Sequence, residues 1–233
     1  MALHHNPRIV TSGLVLALDA ADSNSYPGSG TTWYDLSGNG YHTTLSGSAG
    51  PIHTDGTSFE FPNRPDASGP NSSLARAITP LLPAFGAITV EVSYKPYYSG
   101  SLSNFGTVFR QSLDDVHIRD GRVAAGERFD DFQLNPTAAE QHNGEDEWVI
   151  NTLVWDGSTE LSLYKDGQLT KTGNRSTPDT NGIASSHINI GTRNDNYGEH
   201  YSGYISTFKI YNRALIAQEV LQNYNATKTR FGL

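Results

Sequence analysis

Three groupings of residues in this 233-residue sequence have the types and spacing to do chemistry. The first is the acidic run Glu145-Asp146-Glu147. In an extended chain Glu145 and Glu147 would point the same way, roughly 6–7 Å apart, a separation compatible with hydrolysis by a carboxylate pair. The run follows Asn143-Gly144, precedes an apolar stretch opening at Trp148, and has no third acid to continue the alternation, so a solvated loop is the simpler expectation. The second grouping is Asp19 and Asp35 beside the turn Ser37-Gly38-Asn39-Gly40. Their carboxylates and the turn carbonyls are oxygen donors of the kind Ca²⁺ takes. The same carboxylates could instead cap turns by accepting from backbone amides. The third is a pair of aromatic and polar loop clusters: Tyr97 and Tyr98 with Asn104 and Phe105, and Arg193, Asn194, Asp195 and Tyr197 with His200 and Tyr201. Sugars offer apolar faces to aromatic rings and hydroxyls to amides, carboxylates and guanidinium groups, so these clusters are candidate glycan contacts.

Other chemistries lack their residues. The eight histidines form no i, i+4 pair and no His-Glu-x-x-His frame. No Gly-x-Ser-x-Gly elbow stands out, and no glycine-rich loop cradles phosphate between a strand and a helix. The net charge is −8 and no Lys/Arg cluster marks a nucleic-acid face, so no nucleic-acid partner is expected. Cysteine is absent, which removes disulfides and thiolate metal sites. No apolar run reaches membrane-spanning length, and the first residues do not read as a signal segment, so membrane insertion is not expected.

The elements that would hold these residues read as short strands. Leu14 to Leu18 is a short apolar run, as in a strand buried on both faces. Ile88, Val90, Val92 and Tyr94 alternate with polar residues, which points one face of a strand at a core. Residues 148–155 and 161–165 form a meander with Asp156-Gly157 and Asp166-Gly167 as turns. Further strands are expected at 59–61, 107–110, 116–118, 187–191 and 204–211. Residues 62–86 read as one extended loop. Residues 214–224 read as a helix capped by Asn212, with Leu215, Val220, Leu221 and Tyr224 sharing one side. Trp33, Trp148 and Trp155 are expected in the core.

Taken in order, Gly13 to Asp22, Trp33 to Gly40, Phe59-Glu60-Phe61, Ile88 to Pro96, Leu163 to Gly167 and Ile210 to Leu215 resemble the laminin G-like, concanavalin A-like domains. The resemblance spans about Gly13 to Leu221. It implies an all-β, two-sheet antiparallel jelly-roll sandwich with one short C-terminal helix, and a function in binding carbohydrate or protein. Many members carry calcium, so Asp19 and Asp35 are its candidate ligands here. No cofactor is otherwise required. Relatives often place a carboxylate shortly before the Ile-Tyr-Asn-Arg segment, where this chain has Ser206 and Thr207. Laminarinase-type jelly rolls use alternating acids, which Glu145 and Glu147 match only in part.

Residues 5–10 and 222–233 are similar to stand-alone virion proteins of tailed bacteriophages. Together the resemblances imply an arm over residues 1–12, a jelly-roll domain over 13–225 and a tail over 226–233. The expected role is non-enzymatic: a virion surface protein, as capsid decoration or tail appendage, adhering to bacterial surface polysaccharide. Its partners would be other capsid or tail subunits and further copies of itself. It would assemble in the host cytoplasm and leave by lysis. The alternatives are a cellular carbohydrate-binding module, a purely structural decoration protein, or a glycoside hydrolase.

Overall fold

A computed structural model describes residues 8–48, 50–63, 74–97, 106–111, 116–119, 122–125, 132–144, 146–176, 178–179, 182–193 and 200–233. Among them, strands form two antiparallel sheets stacked face to face. The first sheet runs β14 (Gln168–Asn174), β13 (Glu160–Lys165), β12 (Val149–Trp155), β7 (Ile88–Pro96), β16 (Ser202–Tyr211), β5 (Ser58–Pro62) and β4 (Ile52–Thr54), with β1 (Leu14–Asp19) paired to the far half of β16. The second runs β11 (Phe132–Leu134), β10 (Arg122–Ala125), β9 (Val116–Arg119), β8 (Thr107–Gln111), β15 (Ile188–Ile190), β6 (Arg76–Ile78), β3 (Thr43–Ser46) and β2 (Thr32–Trp33).

The alternation in β7 sets the register. Val90 lies opposite Leu153 and Ile210, and Val92 opposite Asn151 and Phe208. One layer thus gathers Ile88, Val90, Val92, Leu153, Trp155, Phe208 and Ile210, which meet Phe109, Ile118 and Ile190 of the other sheet in a continuous core. Trp33 and Trp155 are fully buried within it. Each such side chain stabilises the fold by about 2–3 kcal/mol through the area it withdraws from water. The Asp166-Gly167 turn is the two-residue hairpin the sequence predicts. Both residues have positive φ, 51° and 75°, which matches the twist of the flanking β13 and β14.

The polar positions of β7 do not face water. Thr89, Glu91 and Ser93 are buried because a second layer covers one half of the sheet's outer face. That layer is the helix α2 (Ala217–Thr227) with residues 8–12, and Val10, Tyr211, Leu215 and Val220 form a small second core beneath it. Each of these side chains has a hydrogen-bond partner, in the covering segment or in β16. Thr89 Oγ1 donates to Arg213 O and accepts from Leu215 N, Ser93 and Thr207 hydroxyls bond at 2.8 Å, and Glu91 Oε1 takes Lys209 Nζ at 2.7 Å.

Several expectations need correction. The helix starts at Ala217, not 214, and Asn212 does not cap it: Asn212 still pairs in the sheet, donating its N–H to Gly13 O. Glu219 supplies the cap by accepting from Ile216 N at 3.1 Å, held by two bonds from Arg213. Shifted by that start, the helix buries Val220, Asn223 and Thr227 and leaves Leu221 exposed. Residues 8–12 are not a separate arm. Asn223 Oδ1 accepts from Val10 N, Asn223 Nδ2 donates to Tyr211 Oη, and Tyr211 Oη donates to Val10 O, which closes a buried ring of hydrogen bonds. The expected tail from 226 completes α2 and continues as a 3₁₀ turn over Lys228–Phe231. The stretch 62–86 contains β6, which sits between β15 and β3, because Ala77 fills the core and Arg76 and Ile78 flank it.

A pH dependence follows from His142, at the end of the short helix α1 (Ala138–Gln141). Burial first, and the Lys165 charge second, push its imidazole below the ordinary histidine pKa. The unfolded chain therefore takes up this proton more readily than the folded one. The contribution is complete above about pH 6.5 and is lost as pH falls toward the lower folded value. The melting temperature should drop between pH 7.5 and 5, and His142→Gln should flatten that part of the curve.

Candidate functional site

The half of the outer sheet face that α2 leaves open carries a row of large polar and aromatic side chains. Cross-strand register puts Glu60 of β5 opposite Tyr204 of β16, and Tyr204 opposite Lys95 of β7. Trp148, just before β12, continues the row: Lys95 Nζ stands 6.0 Å from its ring and 4.7 Å from the Tyr204 ring. Tyr97 turns back onto the row. Its ring meets Tyr204 edge to face at 4.9 Å, its hydroxyl donates to Glu60 Oε1 at 3.1 Å, and it shares a further hydrogen bond with the Tyr204 hydroxyl. Burial, the Tyr204 hydroxyl and the Glu60 carboxylate all push the Tyr97 phenol upward, so it stays a neutral donor. Lys95 also bonds Asp146 Oδ1 at 2.9 Å, and Phe231 of the 3₁₀ turn backs Trp148 with ring centroids 4.7 Å apart. Glu60, Lys95, Tyr97, Trp148 and Tyr204 are all half-buried, so the platform is fixed at its base and open at its top.

Of the sequence candidates, Tyr97 lies in this platform. Tyr98, Asn104, Asn194, Asp195 and Tyr197 lie outside the described residues, as does Glu145. Described residues that flank the two clusters do lie side by side. Tyr97 N donates to Ser202 O, and Thr107 bridges His200, so Tyr97 and Thr107 both stand beside residues 200–202. Arg193 is half-buried at the start of the second cluster. His200 is buried, with its Nδ1 2.7 Å from Thr192 Oγ1. Tyr201 is a correction. It is wholly buried between Phe61 and Tyr94, with its hydroxyl donating to Tyr204 O, and has no surface for a ligand. Trp148 is the opposite correction: it is a platform residue and not a core one. Tyr204 went unnoticed because an aromatic residue inside a strand reads as core until the register shows which face it takes.

Of the acidic run, Asp146 and Glu147 are among the described residues. Asp146 sits in a turn with φ 57° and is held by Lys95, while Glu147 is exposed. The calcium candidates fail on geometry. Asp35 accepts from Ala17 N, Ser37 N, Ser37 Oγ and Tyr41 N, which fills its four lone-pair positions. Asp19 Oδ1 accepts from Ala21 N and from Arg230 at 2.6 Å, and a guanidinium there repels a cation. Ser206 donates to Thr57 O and Thr207 pairs with Ser93, so neither offers a carboxylate in its place. These residues cap turns and join strands. Among the described residues no three His, Asp or Glu side chains assemble as a metal set.

Comparison with known proteins agrees with this architecture. The family described as the concanavalin A-like lectin/glucanases superfamily matches residues 123–221. No curated protein matches the chain. Among solved structures, the binding domain of botulinum neurotoxin serotype D is similar at TM-score 0.65 and 15% identity, over 92% of this chain and 52% of that one. The binding domain of botulinum neurotoxin DC, in complex with rat synaptotagmin II, is similar at TM-score 0.63 and 12% identity, over 93% and 52%. Domain 4 of a GH43 extracellular arabinanase from Geobacillus stearothermophilus, in complex with arabinotriose, is similar at TM-score 0.60 and 17% identity, over 91% of this chain and 98% of that one. The chain spans about half the length of the neurotoxin domains. The fold is that of a concanavalin A-like, laminin G-like jelly roll.

Proposed function

We propose that this protein is a non-enzymatic carbohydrate-binding module, displayed on a virion surface as capsid decoration or a tail appendage and adhering to bacterial surface polysaccharide. The observation that carries the binding reading is the platform of Tyr97, Tyr204 and Trp148 bordered by Glu60, Lys95 and Asp146. The rings offer stacking area to the C–H face of a sugar, and the charged groups around them offer donors and acceptors to its hydroxyls. The pairing of Tyr97 with Tyr204 and Glu60 holds the rings before a ligand arrives, so little side-chain entropy is lost on binding. Arabinotriose in the complex with the arabinanase domain supports a sugar ligand for this fold, as do the two ganglioside molecules named for botulinum neurotoxin type C, a 12% identical structure. The likeness of residues 5–10 and 222–233 to tailed-phage virion proteins supports the location. Many copies on one particle would turn a shallow contact into firm adhesion.

The test is a glycan array probed with the purified chain. Trp148→Ala and Tyr204→Ala should each weaken binding about tenfold, the loss of roughly 1–1.5 kcal/mol expected for one stacking ring. No reducing sugar should be released. If no glycan binds, the reading falls in favour of a purely structural role. If binding persists undiminished in both variants, the platform is not the site. Immunogold labelling of phage particles with antibody to the chain tests the location, and its failure would leave a cellular module.

A further inference from the structure

We infer that the chain has a second ligand site, for a carboxylate-bearing sugar of the uronic acid class, in a cleft at the other end of the same sheet face. The cleft has a volume of about 440 Å³ and lies between β1, residues 8–11 and the end of α2 with its 3₁₀ turn. That is within the range of about 300–1,000 Å³ usual for small-molecule sites. Its charged lining is Arg8, Lys209 and Arg230 against Asp19. Counting Glu91, which Lys209 grips, three cations stand against two carboxylates. A local positive excess in a chain of net charge −8 marks the cleft for an anion.

The floor is built for a ligand. Lys209 is 5% exposed, and its ammonium carries three N–H donors, yet Glu91 Oε1 is its one acceptor among the described residues. Glu91 Oε2, also buried, has no hydrogen-bond partner there. Two spare donors on a buried ammonium are costly unless something accepts from them. Above the floor, Arg230 uses Nη1 on Asp19 and keeps its other donors, and Arg8 is exposed at the rim. A planar guanidinium matches a carboxylate in two parallel hydrogen bonds, which a hydroxyl cannot accept. Leu14 and Leu36 give the walls an apolar surface for a sugar ring, and among the described residues no aromatic side chain lines the cleft. Charge therefore decides recognition here, where rings decide it on the platform.

Chemical-shift titration of the full chain with glucuronate, glucose and acetate tests the assignment. Glucuronate should shift resonances around Lys209 and Arg230, glucose should not, and acetate should bind more weakly than glucuronate. Raising the salt from about 0.02 to 0.15 M should weaken binding, since the rim charges are screened. Arg230→Gln and Arg8→Gln, both at exposed positions, should each weaken binding about tenfold or more. Trp148→Ala should leave it unchanged, which separates this site from the platform. Equal binding of glucose, equal binding of acetate, or full affinity in both arginine variants would overturn the assignment.

Discussion

Lys209→Ala should lower the stability of the chain by about 3–5 kcal/mol, because it strands a buried carboxylate. Glu91 is fully buried in the centre of the first sheet, and Lys209 is the cation beside it. The neighbours of Glu91 across the ladder are Thr152 and Lys209, so no other cation takes over in register. Removing both charges is a different experiment. Glu91→Leu with Lys209→Met replaces the pair by groups of similar volume, and such exchanges are often neutral or stabilising. In urea unfolding the single variant should lose most of its margin while the double variant stays within about 1–2 kcal/mol of the parent. Equal losses in both would mean that side-chain volume, and not the unpaired charge, sets the cost. The pair also forms the floor of the cleft, so the double variant should fold and yet lose glucuronate binding.

Gly203→Ala should be nearly as damaging, by on the order of 3 kcal/mol or more, and it should disturb the platform as well. Gly203 has φ 144°, and a Cβ there would stand 2.3 Å from Lys95 O and 2.6 Å from the Tyr201 hydroxyl. Backbone oxygen cannot move aside as a flexible side chain can. The only relief is to part β16 from β7 where Tyr204 and Lys95 face each other. The variant should therefore melt well below the parent. At temperatures where it remains folded it should still bind glycan more weakly, although Gly203 itself offers no side chain. Parent-like melting and binding together would show that the two strands are looser here than the close approach implies.

The alternation Ile88, Val90, Val92, Tyr94 determined which side of β7 faces the core, because side chains in a strand change face at every residue. Asp166-Gly167 determined a hairpin, because both positions must adopt positive φ and the pair tolerates it. The absence of cysteine and of clustered base determined what chemistry to set aside. Those are local properties, written in neighbouring residues. What lies across a sheet is not local. Tyr204 and Lys95 are 109 positions apart in numbering and Glu60 is further still, and only strand pairing makes them one row. The same holds for Trp148, which reads as core by composition and stands half-buried against Phe231, 83 positions away. It holds for Asp35, whose four donors come from three separate residues of two segments. The sequence by itself determined the positions of most strands along the chain, and its resemblance to a known family implied the sandwich. The tertiary structure alone decided which outer face was covered by α2 and residues 8–12. That choice turned Glu91 and Lys209 from surface charges into a buried pair and left the Tyr97, Tyr204 and Trp148 rings open. Register and layer contact couple distant residues through space, and no spacing along the chain encodes that.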